Sequence, residues 1–258
     1  MNLKMMAAAE AVKLVKSGMV LGLGTGSTAR YAIEMIAERL RDGRLQSIVG
    51  VPTSSGSERL ARKVGIPLTT MREHPTLDLT IDGADEVDPH LNLIKGGGGA
   101  LLHERIVARA SREEVIVVDE SKLVPILGSR FPLPVEVVPF GWGTYTETLR
   151  GFGCEPVLRM QDEQPYLTDE GNYIIDCRFS AILDPAELEQ ALNQVPGVVD
   201  NGIFFGLASR VIVAGESGVR ELSPQRPELG LISGGQRCSC SGRRGHACGQ
   251  WGEEPTGG

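Results

Sequence analysis

Met19-Val-Leu-Gly-Leu-Gly-Thr-Gly-Ser-Thr28 is a short apolar run that breaks into glycines and hydroxyls and then opens a helix-like stretch reaching about Leu40. The same event recurs downstream. Ser47 to Val51 runs into Thr53-Ser-Ser-Gly56 and a helix to Val64. Leu77 to Ile81 runs into Asp82-Gly-Ala-Asp85. Asn92 to Lys95 runs into four glycines and a helix from Ala100 to Ala110, and Val115 to Val118 is the most β-branched segment of the chain. Strands alternating with helices at this spacing predict a parallel sheet covered on both faces. Ligands of such sheets bind beyond the carboxyl ends of the strands, which is where the polar, Gly-rich loops fall.

The second half changes style at Phe131-Pro-Leu-Pro-Val-Glu-Val-Val-Pro139, where prolines bracket a strand. Two strand–helix segments follow, so 130–204 reads as a smaller α+β unit inserted into a main domain of 1–129 and 205–222. Ala208 to Ala214 reads as a buried strand returning to that domain. From Ser223 to 258, Gly, Pro, Ser, Arg and Cys replace any periodicity. This reads as a disordered tail, with a shifted reading frame as the alternative.

Composition narrows the function classes. Of 258 residues, 26 are Lys or Arg and 33 are Asp or Glu, a net charge of −7 that disfavours broad attraction to a phosphate backbone. No apolar run reaches the roughly 18 residues of a membrane span. Lys4, Glu10 and Lys13 interrupt the stretch from Met1 to Val15, which reads as an amphipathic helix rather than a signal-peptide core. The expected address is the cytoplasm. The odd count of five cysteines argues against a disulfide framework. Cys238, Cys240, His246 and Cys248 match no standard zinc spacing.

Three loops carry the chemistry. In Gly22-Leu-Gly-Thr-Gly-Ser-Thr28, backbone N–H groups and a helix N-terminus suit an anion, and Ser27 and Thr28 add hydroxyls. The loop lacks the Lys of a P-loop, and Ser27 stands where a dinucleotide fingerprint needs a third glycine. A plain strand-to-helix turn is the competing reading. Asp82-Gly-Ala-Asp-Glu-Val-Asp88 could ligate a divalent metal, grip vicinal sugar hydroxyls or form a solvated turn, but it does not fit an EF-hand. In Lys95-Gly-Gly-Gly-Gly-Ala-Leu-Leu-His-Glu-Arg105, four consecutive glycines cost backbone entropy and imply close approach of the backbone to something. Glu104 falls in the second turn of the following helix, off an apolar stripe of Leu102, Ile106 and Ala110. It points toward solvent or toward the cleft, a solvated face being the competing reading that the nearby Lys95 and acidic loop disfavour, and His103 should point elsewhere.

Together these segments resemble the ribose-5-phosphate isomerase A family. Gly24-Thr-Gly-Ser-Thr28, Asp82-Gly-Ala-Asp-Glu86 and Lys95-Gly-Gly-Gly98 are similar to its signature loops, in order and at family-like spacing. Asp119-Glu-Ser-Lys122, Phe131-Pro-Leu-Pro-Val-Glu136, Ile182-Leu-Asp-Pro185 and Pro196-Gly-Val-Val199 resemble further family segments, and the likeness runs from about Leu3 to Leu222. The resemblance implies an α/β fold: a Rossmann-like, mostly parallel sheet with helices on both faces and a smaller α+β, ferredoxin-like lid domain. It also implies a homodimer or homotetramer, a sugar-phosphate substrate, and neither metal nor organic cofactor. Carried over residue by residue, it makes Glu104 the catalytic base, with Lys95, Asp82 and Asp85 beside it. Gly83, Ala84 and Gly96 to Gly98 fall on the sugar side. Thr25, Gly26, Ser27, Thr28 and Lys122 fall on the phosphate side, with Lys4 matched less securely. Gly99 stands where the family commonly has a small residue such as Ala, an exchange expected to be tolerated. The tail has no counterpart. Two rival readings of the residues are a sugar-phosphate-sensing module and a related sugar-phosphate isomerase or lactonase.

Overall fold

The computed structural model describes residues 2–224. The chain begins with α1 (Leu3–Val12), capped by the Asn2 side chain. It continues through β1 (Val20–Leu23), α2 (Ser27–Arg41), β2 (Val49–Pro52), α3 (Ser55–Val64) and β3 (Leu79–Asp82). Two short strands, β4 (Glu86–Val87) and β5 (Leu93–Ile94), precede α4 (Leu101–Ala110) and β6 (Glu114–Asp119). Next come β7 (Leu133–Val137), α5 (Trp142–Arg150), β8 (Glu155–Leu158), a tight hairpin of β9 (Met160–Gln161) and β10 (Gln164–Pro165), and β11 (Tyr173–Arg178). The described chain ends with α6 (Pro185–Leu192), β12 (Val198–Asn201), β13 (Ile203–Phe204), β14 (Arg210–Gly215) and β15 (Gly218–Leu222).

The main sheet has six strands in the order β15-β14-β6-β3-β1-β2. All its pairings are parallel except β14 with β15, which adds an antiparallel edge that the sequence reading did not anticipate. Side chains of a strand alternate between faces, and here both faces are dry. Val115, Val117, Leu79 and Ile81 pack with Ala7, Ala11, Ile33 and Ile36 of α1 and α2. Ile116, Val118, Val211 and Val213 pack on the other side with Ala108 of α4.

One expected strand does not join this sheet. β5, which leads to Lys95, lies in a separate antiparallel sheet, ordered β13-β5-β4. The segment 83–100 thus pairs with β13 before the chain enters α4, the helix of the crossover that joins the parallel neighbours β3 and β6. A second sheet, β12-β7-β11-β8, is antiparallel, and its core includes Leu149 of α5 and Leu192 of α6. In chain order its strands run fourth, first, third, second, the βαββαβ arrangement of ferredoxin-like units. Both sheets belong to one compact unit. Among the described residues no helix is long and apolar enough to cross a membrane. Apart from Ser223 and Pro224, the expected tail lies outside the described residues, as do Cys238, Cys240, His246 and Cys248.

Candidate active site

Leu79 and Ile81 of β3 face α1 and α2, so Thr80 and Asp82, one residue out of phase, face the α4 side. Asp82 is fully buried. Its Oδ1 accepts hydrogen bonds from the N–H groups of Thr25 (2.9 Å) and Gly83 (2.7 Å), and its Oδ2 lies 3.1 Å from Lys95 Nζ. Lys95 is equally enclosed. Its ammonium donates to the Gly83 carbonyl at 2.5 Å, sits 3.4 Å from Glu104 Oε1 and lies 5.4 Å from the centroid of the Phe204 ring. A buried charge persists only with such partners. Burial alone would lower the Lys95 pKa, but Asp82, then Glu104 and Glu114, outweigh it and hold the side chain as a cation.

Glu104 occupies the first turn of α4, since the helix begins at Leu101. The expected apolar stripe is wrong. Leu101, Glu104, Arg105, Val107 and Ala108 form the buried face, while Ile106 is 47% exposed. Hydrophobic periodicity fails here because two charged residues hold interior positions and have interior partners. Arg105 donates to Asp200, Glu189 and the carbonyls of Asn201 and Ile203, and stacks over Phe204. Glu104 meets Lys95 with one oxygen, while its Oε2 has no protein partner among the described residues. Burial, only partly offset by Lys95, pushes its pKa up to about 8. Glu114 of β6 pairs in register with Thr80 and is also buried. Burial, then Asp82, push its carboxyl pKa well above the usual range.

Above this cluster opens a cleft. Its floor is formed by Lys95, Glu104, Gly83, Ala84 and Asp85, and one wall by Gly96, Gly97 and Gly98. Asp85 is fixed by the Gly97 N–H, which donates to its Oδ2 at 2.8 Å. The opposite wall is Thr25, Gly26, Ser27 and Thr28 at the start of α2, flanked by Lys4 and Lys122. Lys4 Nζ donates to Ser27 Oγ at 2.8 Å, and Thr25 Oγ1 is tied to the hydroxyls of Thr53 and Ser54. Two ammonium groups at a helix N-terminus are a ready anion site.

Fourteen of the fifteen residues singled out from the sequence line this one cleft, and the fifteenth, Asp82, lies directly beneath it. His103 is outside, 2.7 Å from Glu170. Gly99 adopts φ +78°, and a Cβ there would come within 2.1 Å of the Tyr166 hydroxyl, so this position is tighter than its neighbours suggest. The sequence reading gave no site role to Thr53 and Ser54, although they open the strand-end loop Thr53-Ser-Ser-Gly56, nor to Phe204, Arg159 and Tyr166, which sit in no such loop.

Residues 49–218 match the family model for ribose 5-phosphate isomerase A (phosphoriboisomerase A). The chain belongs to the ribose 5-phosphate isomerase A family. Its curated relatives include the ribose-5-phosphate isomerase A of Chloroflexus aurantiacus, 56% identical over 221 residues, 85% of this chain and 92% of the relative. The enzyme of the same name from Gloeobacter violaceus is 55% identical over 86% of this chain and 96% of its own length. Among solved structures, a D-ribose-5-phosphate isomerase in complex with phospho-erythronic acid superposes with a TM-score of 0.85 at 44% identity, covering 86% of this chain and 98% of that one. The ribose 5-phosphate isomerase A of Methanocaldococcus jannaschii gives 0.82 at 47% identity, over 86% and 98%. Within this family member, Lys4 and the loop Gly24–Thr28 precede the segment matched by the family model, and they join the cleft through α1 and α2.

Proposed function

We propose that this chain interconverts D-ribose 5-phosphate and D-ribulose 5-phosphate through a cis-enediolate, with Glu104 as the base. The observation that carries this reading is that, of the three buried carboxyls with an unengaged oxygen among the described residues, Glu104 alone lines the cleft, 3.4 Å from the buried Lys95 ammonium and in the same cleft as two lysines at a helix N-terminus. With the phosphate at Lys4, Lys122 and the start of α2, the reactive end of a five-carbon sugar reaches Glu104.

The Glu104 carboxylate removes the C2 proton. The released electron pair forms the C1–C2 double bond, and the carbonyl pair moves onto O1. Lys95 and glycine N–H groups stabilise that charge, a low-dielectric arrangement in which fixed donors act strongly. Glu104 then returns the proton to C1 while the O2 proton leaves and O1 regains one. Asp85 holds sugar hydroxyls and assists ring opening. Asp82, wholly enclosed, holds Lys95 instead of touching the sugar. We further infer a homodimer or homotetramer, supported by Phe140 and Leu183, which are 90% and 84% exposed. Light scattering after size exclusion reads that directly.

The test is proton-exchange NMR with ribose 5-phosphate in D₂O after EDTA treatment, with Glu104→Gln alongside. Ribulose 5-phosphate carrying solvent deuterium is expected from the unmutated chain. The variant should be slower by at least ~10²-fold, the low end for a general base. A near-unmutated rate in Glu104→Gln would sink the assignment, and binding without turnover by the unmutated chain would point to a sensor. Because the base works only when ionised, kcat/KM should rise with pH, reach half its plateau near pH 8 and level off above that.

A further inference from the structure

The carbonyls of Gly96, Gly97 and Gly98 all turn away from the cleft, and all three accept hydrogen bonds from the neighbourhood of the second sheet. Arg159, between β8 and β9, donates from Nη1 to the Gly96 oxygen (3.0 Å) and the Gly97 oxygen (3.2 Å). Tyr166, just after β10, donates its hydroxyl to the Gly98 oxygen at 3.2 Å. Arg159 is itself anchored: Nε donates to Asp176 Oδ2 at 2.8 Å, Nη2 pairs with the other Asp176 oxygen, and the guanidinium lies 5.8 Å from the centroid of the Tyr166 ring. None of the three side chains lines the cleft.

In a trans peptide the C=O and the following N–H point in opposite directions, and the described chain has no cis bonds. The Gly96 carbonyl also accepts from the Gly99 N–H at 2.9 Å, so the first peptide is shared with the loop's own turn, and Arg159 sets the second, Gly97–Gly98. The Gly97 N–H, opposed to the Gly96 carbonyl, reaches Asp85. The Gly98 N–H, opposed to the Gly97 carbonyl, has no protein partner among the described residues and belongs to the cleft wall. We propose that Arg159, anchored by Asp176, is a positioning residue that aims the Gly98 N–H at the oxygen on which enediolate charge develops. Four glycines in a row would otherwise let these peptides rotate at small cost. The Arg159 fork supplies the rigidity that the loop lacks.

This inference rests on the isomerase reading, and the experiment separates the two. Arg159→Met, Arg159→Lys, Asp176→Asn and Tyr166→Phe are compared with the unmutated full-length chain. Turnover of ribose 5-phosphate is measured together with the dissociation constants of two probes. Phospho-erythronic acid carries a carboxylate that mimics the enediolate charge, and ribitol 5-phosphate lacks one. Removing one fixed oxyanion donor outright costs ~10²–10³ in kcat, so loosening one should cost ~10- to 30-fold in Arg159→Met. KM should stay within about threefold, because the effect is confined to the transition state. Phospho-erythronic acid should weaken by about tenfold and ribitol 5-phosphate by less than about twofold, with Arg159→Lys recovering part of both losses. A kcat within about threefold of the unmutated chain, or equal weakening of both probes, overturns the proposal. Should Arg159→Met not fold, Asp176→Asn is read the same way, with a smaller drop of about fivefold expected. Unchanged turnover in a folded Asp176→Asn overturns the proposal as well. If the unmutated chain does not isomerise at all, the function reading fails, and the probe comparison still decides where the Gly98 N–H points.

Discussion

The two glycine-rich walls of the cleft are built on different principles. Gly24 to Ser27 follows a strand of the main sheet and runs straight into α2, and its remote ties, to Asp82, Thr53 and Ser54, come from neighbouring strand ends of that same sheet. A Cβ on Gly26, at φ +99°, would meet nothing within 4 Å. Gly96 to Gly99 follows a two-residue strand and is held from outside by Arg159 and Tyr166, contributed from more than sixty residues away. A Cβ on Gly99 would strike the Tyr166 ring. The first wall is a strand-to-helix turn tied within the main sheet. The second is an assembly between two sheets, and the proposed chemistry puts it beside the reacting carbons.

The sharpest way to break the contrast is beneath the second wall. Lys95→Met removes the only cation within 4 Å of buried Asp82 among the described residues and should cost about 3 kcal/mol of stability, as loss of one member of a buried pair does. Chemical denaturation reads this, and a loss under about 1 kcal/mol would mean that proton uptake by the neighbouring carboxyls absorbs the change.

Gly99→Ala and Gly26→Ala form the direct comparison. Both place a side chain at a positive φ that favours glycine, at about 1–3 kcal/mol. Only Gly99→Ala must also displace Tyr166, adding about 1–2 kcal/mol and lowering kcat. Gly26→Ala should instead raise KM, through the phosphate wall. Equal effects of the two on stability and on the kinetic split would erase the distinction drawn here.

The smallest effect is a pH slope. Glu104 has a folded pKa of about 8 against an unfolded value near 4.5, so the folded state binds its proton more tightly. That contribution to stability is fully present below about pH 4.5 and is lost as pH rises through 8. Glu104→Gln cannot titrate. Its melting temperature should therefore gain on that of the unmutated chain between pH 5 and pH 9, and parallel curves would contradict the raised pKa.

The sequence alone was sufficient for the alternation of strands and helices, because two-sided burial leaves continuous β-branched runs such as Val115 to Val118. It also showed the glycine- and acid-rich loops of the cleft at the ends of those runs, while Lys4 and Lys122 were named only through the family resemblance. It misread the face of α4, where Glu104 and Arg105 are buried by virtue of partners at Lys95, Asp200 and Glu189 that no local pattern displays. It put β5 in the wrong sheet, because a two-residue strand carries no periodicity to assign. Tertiary structure alone decided which acid lies under the cleft and which lines it, how far burial raises the Glu104 pKa, and that Arg159 reaches the Gly97 carbonyl. Each of these depends on the distance and dielectric between groups remote in the chain, quantities that spacing along a sequence does not contain.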